Sequence, residues 1–278
     1  MAEREWVLYE KRGKTAIITI NNPEQMNVYG GPTGVIDGMY KAVRASEEDP
    51  EILTMILTGA GDKAFCAGNN MKRFNATYQA HDAGEGQVMG GGRRYFAEER
   101  PRDSIILGHG LQTKPIIAAI NGYCLGGGLE LSCGCDIRIA SENATFETSE
   151  PKWGMIPGIT PAKLARLIPF NLAMELLLTG RRIDAEEAYR IGLVNRVVPL
   201  ADLMPTCLAI ADEINQNAPL AVMAMKEAAW HGLLFHHTVS DAIENNSRLL
   251  HEKIYLTEDS KEGVRAFVEK RKPDWKGR

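Results

Sequence analysis

No apolar run in this 278-residue chain is long enough to cross a bilayer. The first residues, Met1-Ala2-Glu3-Arg4-Glu5, have neither the apolar core of a secretory signal nor an Arg/Ser-rich transit pattern. Neither sign of charge is in excess. The 32 Lys and Arg against 36 Asp and Glu leave a formal charge of −4, so nothing electrostatic points to nucleic acid or an anionic membrane as partner. Cysteines number only five and sit mostly among apolar residues. They are expected to be reduced, buried thiols in a cytoplasmic protein. Internal repeats and low-complexity tracts are absent. No Gly-Lys-Ser/Thr follows a glycine-rich turn, which excludes a triphosphate loop. His236, His237 and His251 lack metal-ligand spacing to acids or cysteines, and Cys133-Gly134-Cys135 lacks the second pair that zinc would need. No histidine is placed to serve a serine or cysteine nucleophile.

What is present concentrates between Lys114 and Gly158. Pro115-Ile116-Ile117-Ala118-Ala119-Ile120 is apolar, β-branched and too short for a helix, the pattern of a buried strand. Asn121-Gly122 ends it. Gly126-Gly127-Gly128 then leads into Leu129-Glu130-Leu131, the expected first turn of a helix. Such a turn leaves backbone N–H groups unpaired at the positive end of the helix dipole and can hold an anion; it is also compatible with a plain strand-to-helix turn. Glu130 lies in that first turn, and Glu150 follows twenty residues later, before a Gly/Pro-rich loop, Trp153-Gly154-Met155-Ile156-Pro157-Gly158. From the residues alone, a solvated glutamate is the commoner fate for each.

The rest of the chain frames this stretch. Trp6–Glu10 and Thr15–Ile20 are expected as a hairpin, Pro32–Glu48 as a helix and Ile52–Thr58 as a buried strand. Ala64-Phe65-Cys66-Ala67-Gly68-Asn69-Asn70-Met71-Lys72 reads as a second glycine-bearing turn. Residues 73–113 are the least regular, expected as a mobile segment ending in a helix near Gln112. Short strands are expected at Asp136–Ala140, Ala144–Phe146 and Val194–Val198, and helices at Ala162–Ile168, Leu172–Leu178 and Asp184–Arg190. Residues 200–270 have helical spacing broken at Pro219 and near Thr257. Met223 and Met225 look like core filling. The alternation is that of stacked βαβ-type units followed by a helical part.

These residues carry a resemblance. Phe65-Cys66-Ala67-Gly68, the run Lys114–Gly122, Gly126-Gly127-Gly128-Leu129-Glu130-Leu131, Cys135-Asp136, Pro157-Gly158, Leu178-Thr179-Gly180, Ala188, Gly192-Leu193-Val194 and the tail Phe267–Pro273 resemble the crotonase (enoyl-CoA hydratase/isomerase) superfamily, in order and over essentially the whole chain. The resemblance implies an α/β fold, a crotonase-type spiral of repeated ββα units over residues 1–199. Residues 200–278 would form a helical part that builds trimers, usually paired into hexamers, and covers the active site.

The resemblance also implies chemistry. The backbone N–H groups of Asn69 and Gly127 would form an oxyanion hole for a thioester carbonyl as it becomes an enolate. Glu130 would activate water for attack on Cβ, and Glu150 would deliver a proton to Cα, with the pair sharing one proton near neutral pH. Cys66, Ala67, Gly68, Lys72, Gly126, Trp153, Phe267 and Lys270 would contact the acyl group or coenzyme A, Phe267 and Lys270 often from a neighbouring subunit. No metal and no resident cofactor are expected, coenzyme A entering as part of the substrate. The expected activity is that of a hydro-lyase adding water syn to an enoyl-CoA. The alternatives are a double-bond isomerase using Glu150 alone and a non-catalytic CoA- or RNA-binding relative. The chain departs from the family pattern at Asn70, where Asp is frequent, at Phe146-Glu147-Thr148-Ser149, in place of a Gly-x-Pro lead-in, and at the bulky Trp153. Glu147 is expected to face solvent.

Overall fold

The β-branched runs at the N-terminus form the expected hairpin, β1 (Val7–Arg12) antiparallel to β2 (Thr15–Ile20). The fold is taken from a computed structural model, which describes residues 4–29, 34–72, 75, 112–234, 248 and 253–278. After helix α1 (Val35–Glu48), the apolar runs become β3 (Thr54–Gly59) and β5 (Ile116–Ile120), separated in sequence by the short β4 (Ala64–Cys66). β6 (Tyr123–Leu125) leads into α2 (Gly127–Gly134), followed by β7 (Ile137–Ser141) and β8 (Thr145–Glu147). A single 3-10 turn, Glu150–Trp153, precedes α3 (Thr160–Leu167) and α4 (Phe170–Thr179). Then come β9 (Arg182–Asp184), α5 (Ala185–Arg190), β10 (Arg196–Val198), α6 (Leu200–Asn215), α7 (Pro219–Leu234) and α8 (Glu258–Glu269).

The strands form two sheets, of order β1-β2-β3-β5-β7-β10 and β4-β6-β8-β9. From β2 onward the large sheet is parallel. The chain repeatedly enters the large sheet and then the small one: β3 then β4, β5 then β6, β7 then β8. That is the ββ alternation expected of the spiral.

The apolar runs are continuous because both faces of the large sheet are covered. Side chains alternate along a strand, so Met55, Leu57, Ile116, Ala118 and Ile120 enter the core toward α1 and α2. Ile56, Ile117, Ala119 and Ile139 face the other way and meet Leu203, Cys207, Ile210 and Ala211 of α6. Residues 200–215 therefore lie along the large sheet.

Three strands were not expected. β4 and β6 are three residues each and lie where the sequence shows glycine-bearing turns. β9 is a three-residue strand before a well-formed cap, in which the Asp184 side chain accepts from the Glu187 N–H. Met225 is exposed instead of filling the core, because α7 turns Lys226 and Trp230 inward, four residues apart on one face. The expected helix near Gln112 lies outside the described residues, as do His236, His237 and His251. Among the described residues, no helix is long and apolar enough to cross a membrane.

Candidate active site

The two glycine turns are built against each other. β6 ends at Leu125, and Gly126 turns the chain at φ +53°, a region L side chains rarely adopt. Its N–H donates to the Glu147 carbonyl at 2.8 Å, tying the turn to β8. Gly68, at φ +86°, approaches so closely that a Cβ there would lie 2.9 Å from the Leu125 oxygen and 3.0 Å from the Gly127 nitrogen. A Cβ at Gly128 would overlap the Cys66 carbonyl, its carbon only 2.7 Å away. Backbone-to-backbone contact of this kind has no flexible atom to move. The structure thus brings Gly68 against Gly126 and Gly127, and Cys66 against Gly128, with Ala67 between them in sequence and Asn69 directly after. As a first-turn residue of α2, Gly127 has no intrahelical acceptor for its N–H.

The carboxylates flank this junction. Glu130 projects from the first turn of α2, and its Oε1 accepts from the Ile159 N–H at 2.6 Å. Oε1 of Glu130 also lies 3.2 Å from where a Cβ on Gly158 would stand. Glu150 opens the 3-10 turn, with Oε1 3.1 Å from the position a Cβ on Gly126 would take. Its Oε2 is buried with no hydrogen-bond partner among the described residues. Buried polar atoms are nearly always paired, by protein, water or ligand. Burial raises the Glu130 carboxyl above its ordinary value, opposed by the Ile159 N–H and the Lys163 charge. Burial raises Glu150 as well, and the nearby Glu130 and Glu147 charges add to it. Two acids held high beside paired N–H groups are suited to moving protons at a carbon next to a carbonyl.

The comparisons agree with this geometry. The enoyl-CoA hydratase/isomerase family model matches residues 10–92 and 109–278. The chain belongs to the enoyl-CoA hydratase/isomerase family. It is 39% identical to the short-chain-enoyl-CoA hydratase of Clostridium acetobutylicum, over 96% of this chain and 95% of that one. It is 38% identical to the (E)-benzylidenesuccinyl-CoA hydratase of Thauera aromatica, over 98% and 99%. A solved enoyl-CoA hydratase from Bacillus anthracis superposes with a TM-score of 0.82 at 33% identity, covering 99% of this chain and all of that one. The alternating two-sheet winding is the crotonase fold.

Against that family background, the remaining expected residues divide. Lys72 lies exposed just beyond the second glycine turn, and Asn70 accepts from its N–H. Trp153 ends the turn that Glu150 opens and is 65% exposed. Phe267 is 85% exposed at the end of α8, and Lys270 caps that helix, also exposed. Glu147 does not face solvent. It is 7% exposed, and its carboxylate accepts from Arg182 Nε at 2.7 Å and Lys152 Nζ at 3.0 Å. Burial opposes its charge, yet the two cations hold the carboxyl below its ordinary value. The reason is β9: Glu147 pairs directly across the strand from Arg182, and without that strand the partner is invisible in the sequence.

Two features of the site escaped the sequence reading. Tyr29 forms a parallel bridge with Asn69 and packs on the core beside the first helix turn. Lys163, 1% exposed, places its ammonium 4.4 Å over the ring of Trp230, and Trp230 Nε1 donates to Asp136 at 2.6 Å. Asp136 also receives the Lys226 ammonium at 2.8 Å and the Ile116 N–H at 2.7 Å. A lysine among apolar neighbours in the expected helix Ala162–Ile168 is the signal that was available for Lys163.

Proposed function

We propose that Asn69, Gly127, Glu130 and Glu150 carry out the addition of water across the 2,3-double bond of an enoyl-CoA thioester, and its reverse. The carrying observation is the buried, unpartnered Oε2 of Glu150, on a carboxyl that lies against the Gly126 turn and feels the Glu130 charge. The thioester oxygen lies between the Asn69 and Gly127 N–H groups. One water sits between the carboxyls. Glu130 takes a proton from it as its oxygen bonds to Cβ, and the π electrons move onto the thioester oxygen. Glu150 then gives its proton to Cα on the same face as the enolate collapses, so the addition is syn. One oxyanion donor is worth about 3 kcal/mol in other enzymes. Only backbone is used at position 69, so its side chain is free to be Asn.

Coenzyme A enters as part of the substrate, against Cys66, Ala67, Gly68, Gly126 and Lys72, with Phe267 and Lys270 reaching the nucleotide of a neighbouring subunit; no resident cofactor or metal is called for. We read residues 1–199 as the catalytic part and 200–278 as an assembling part that forms a trimer, paired into a hexamer. All five cysteines are free, as suits a reducing compartment such as the cytoplasm. Trp153 beside Glu150 admits a bulky acyl group as readily as a short linear one, in keeping with relatives named for both kinds.

The test is the conjugated-thioester absorbance of linear, branched, cyclic and aryl enoyl-CoAs, with wild type, Glu130→Gln and Glu150→Gln. Hydration lost in both variants supports the reading. A double-bond shift lost only in Glu150→Gln would replace it with isomerisation.

A further inference from the structure

Glu147 is the acid that the proposed reaction leaves without a part. It ends β8, just before the turn that carries Glu150, and it is tied to both sides of the site. Its carbonyl accepts from the Gly126 N–H at 2.8 Å, and its register partners are Leu125 of β6 and Arg182 of β9. Its carboxylate accepts from Lys152 Nζ at 3.0 Å, and Lys152 belongs to the same 3-10 turn as Glu150. That turn has no side-chain cap of its own. Ser149 stands at its start but makes no capping bond, its Oγ lying against Gly126 instead. The Lys152 stem crosses the bend after α4, its Cε 3.2 Å from where a Cβ on Gly180 would stand, with Pro151 Cγ at 3.3 Å. The lysine thus runs from the Glu150 turn over Gly180 to Glu147, and Arg182 fixes the carboxylate from β9 at 2.7 Å.

We propose that Glu147 is a positioning residue for Glu150: through Lys152 it holds the turn against the Gly126 junction, and it keeps a negative charge near the carboxyl that carries the Cα proton. Stability alone does not account for an acid here. A buried carboxylate must be desolvated, and a neutral side chain of similar volume supports a fold at least as well. The two cations are 43% and 47% exposed, where ion pairs contribute little. Among the described residues, the charged groups around Glu150 are Glu130 on α2, Glu147 on β8, Lys152 on its own turn and Arg182 on β9. Glu147 engages both of those cations, Glu175 on α4 is taken up by Arg181, and Lys163 on α3 acts on Glu130. The Glu130 and Glu147 charges therefore add to burial in raising the Glu150 carboxyl. The protonated form, which delivers the proton, is favoured. The inference rests on the hydratase reading for the role of Glu150, but its test does not depend on hydration.

The probe is butyryl-CoA in D2O, with deuterium incorporation at Cα followed by NMR. Glu150 takes a proton from Cα and returns a deuteron, so the exchange isolates its proton transfer from the addition of water. Exchange begins with Glu150 ionised, and its rate therefore rises with pH through the Glu150 titration. Glu147→Gln keeps the shape and removes the charge; Lys152→Met keeps an apolar stem across Gly180 and removes the ammonium. Misplacing a reacting group by about 1 Å can cost about a hundred-fold, so each variant should lower the plateau exchange rate at least about ten-fold, with butyryl-CoA affinity within about two-fold of wild type. The double variant should fall no further than either single one, since both break the same contact. In Glu147→Gln the rise of the profile should also move to lower pH, which a loss of stability alone does not produce. Folded variants, judged by circular dichroism, that exchange within about two-fold of wild type overturn the inference, as does an unmoved profile in Glu147→Gln. If Glu147→Gln does not fold, Lys152→Met decides by the same rate criterion. Wild type that exchanges the probe but hydrates no enoyl-CoA would instead overturn the hydratase reading and leave the Glu147 comparison valid; wild type that exchanges nothing would overturn both.

Discussion

Lys163→Met should make stability respond differently to pH, by an amount the structure sets. The Lys163 ammonium is buried, and burial lowers its pKa from 10.5 to about 8, partly offset by nearby groups including Asp136. Each pKa unit is worth about 1.4 kcal/mol, so carrying this charge costs the folded chain about 3 kcal/mol. At pH 7 the lysine is protonated both folded and unfolded, and the full cost is present. As pH rises past 8 the folded lysine releases its proton while the unfolded one keeps it up to 10.5. The unfolded state then binds more protons, and stability rises with pH across that window. Methionine has no such term. Changes in apolar packing shift the variant by a constant and drop out of the pH dependence, whereas the ammonium's contact with the Trp230 ring belongs to the protonated form and titrates with it. Nearby Cys135, pushed by burial up to about 12, stays neutral in the window. Urea unfolding of both proteins at fixed concentration, from pH 7 to 10.5, should show wild type gaining about 3 kcal/mol relative to the variant. Parallel stability curves would refute the buried ammonium. The same variant carries a kinetic signature. Lys163 holds Glu130 down, so its removal should move the acid limb of the rate profile to higher pH.

Glu130 and Glu150 are both raised by burial, so on the proposed mechanism kcat/KM in wild type should fall on the acid side at a pH above the ordinary carboxylate value of 4.5, since the water-activating group must be ionised; a limb at or below 4.5 would contradict the buried pair. Gly128→Ala forces a Cβ into the Cys66 carbonyl and should abolish turnover and lower the melting temperature by several degrees, measured by circular dichroism; a variant of wild-type activity would show that the two turns are not in contact. Trp230→Phe strands one oxygen of the half-buried Asp136 and should cost about 1 kcal/mol in urea unfolding, with little change in KM. Sedimentation should show a trimer or a pair of trimers; a stable monomer would remove the assembly proposal.

The long strands and the glycine junction were legible because their signals are local. Ile116–Ile120 is a β-branched run of strand length, and Gly126-Gly127-Gly128 directly precedes a helical pattern. What could not be read depends on partners distant in sequence. β4, β6 and β9 are too short to show a period, and exist because each finds a neighbour in the small sheet. Glu147 was placed in solvent for that reason: its burial is licensed by Arg182, which only β9 brings opposite. Tyr29 was missed because it sits in an irregular segment whose ties to the site, to Gly68, Asn70 and Gly127, all run to residues distant in sequence. Glu130 and Glu150 could be paired from the family pattern, but the buried oxygen that gives Glu150 its chemical meaning appears only in three dimensions.

The repeated passage between two sheets also governs when the enzyme becomes an enzyme. Parallel neighbours must close long loops before their contacts repay the lost chain entropy, which slows such folds. Asn69 hangs from the winding that ends in β4, Gly127 and Glu130 from the next, and Glu150 from the one after. A nascent chain that has wound only its first two turns holds both glycine turns and Glu130 but lacks Glu150. Refolding should therefore recover helical and strand signal first and activity last, when β8 seats beside β6 and delivers Glu150 to the junction.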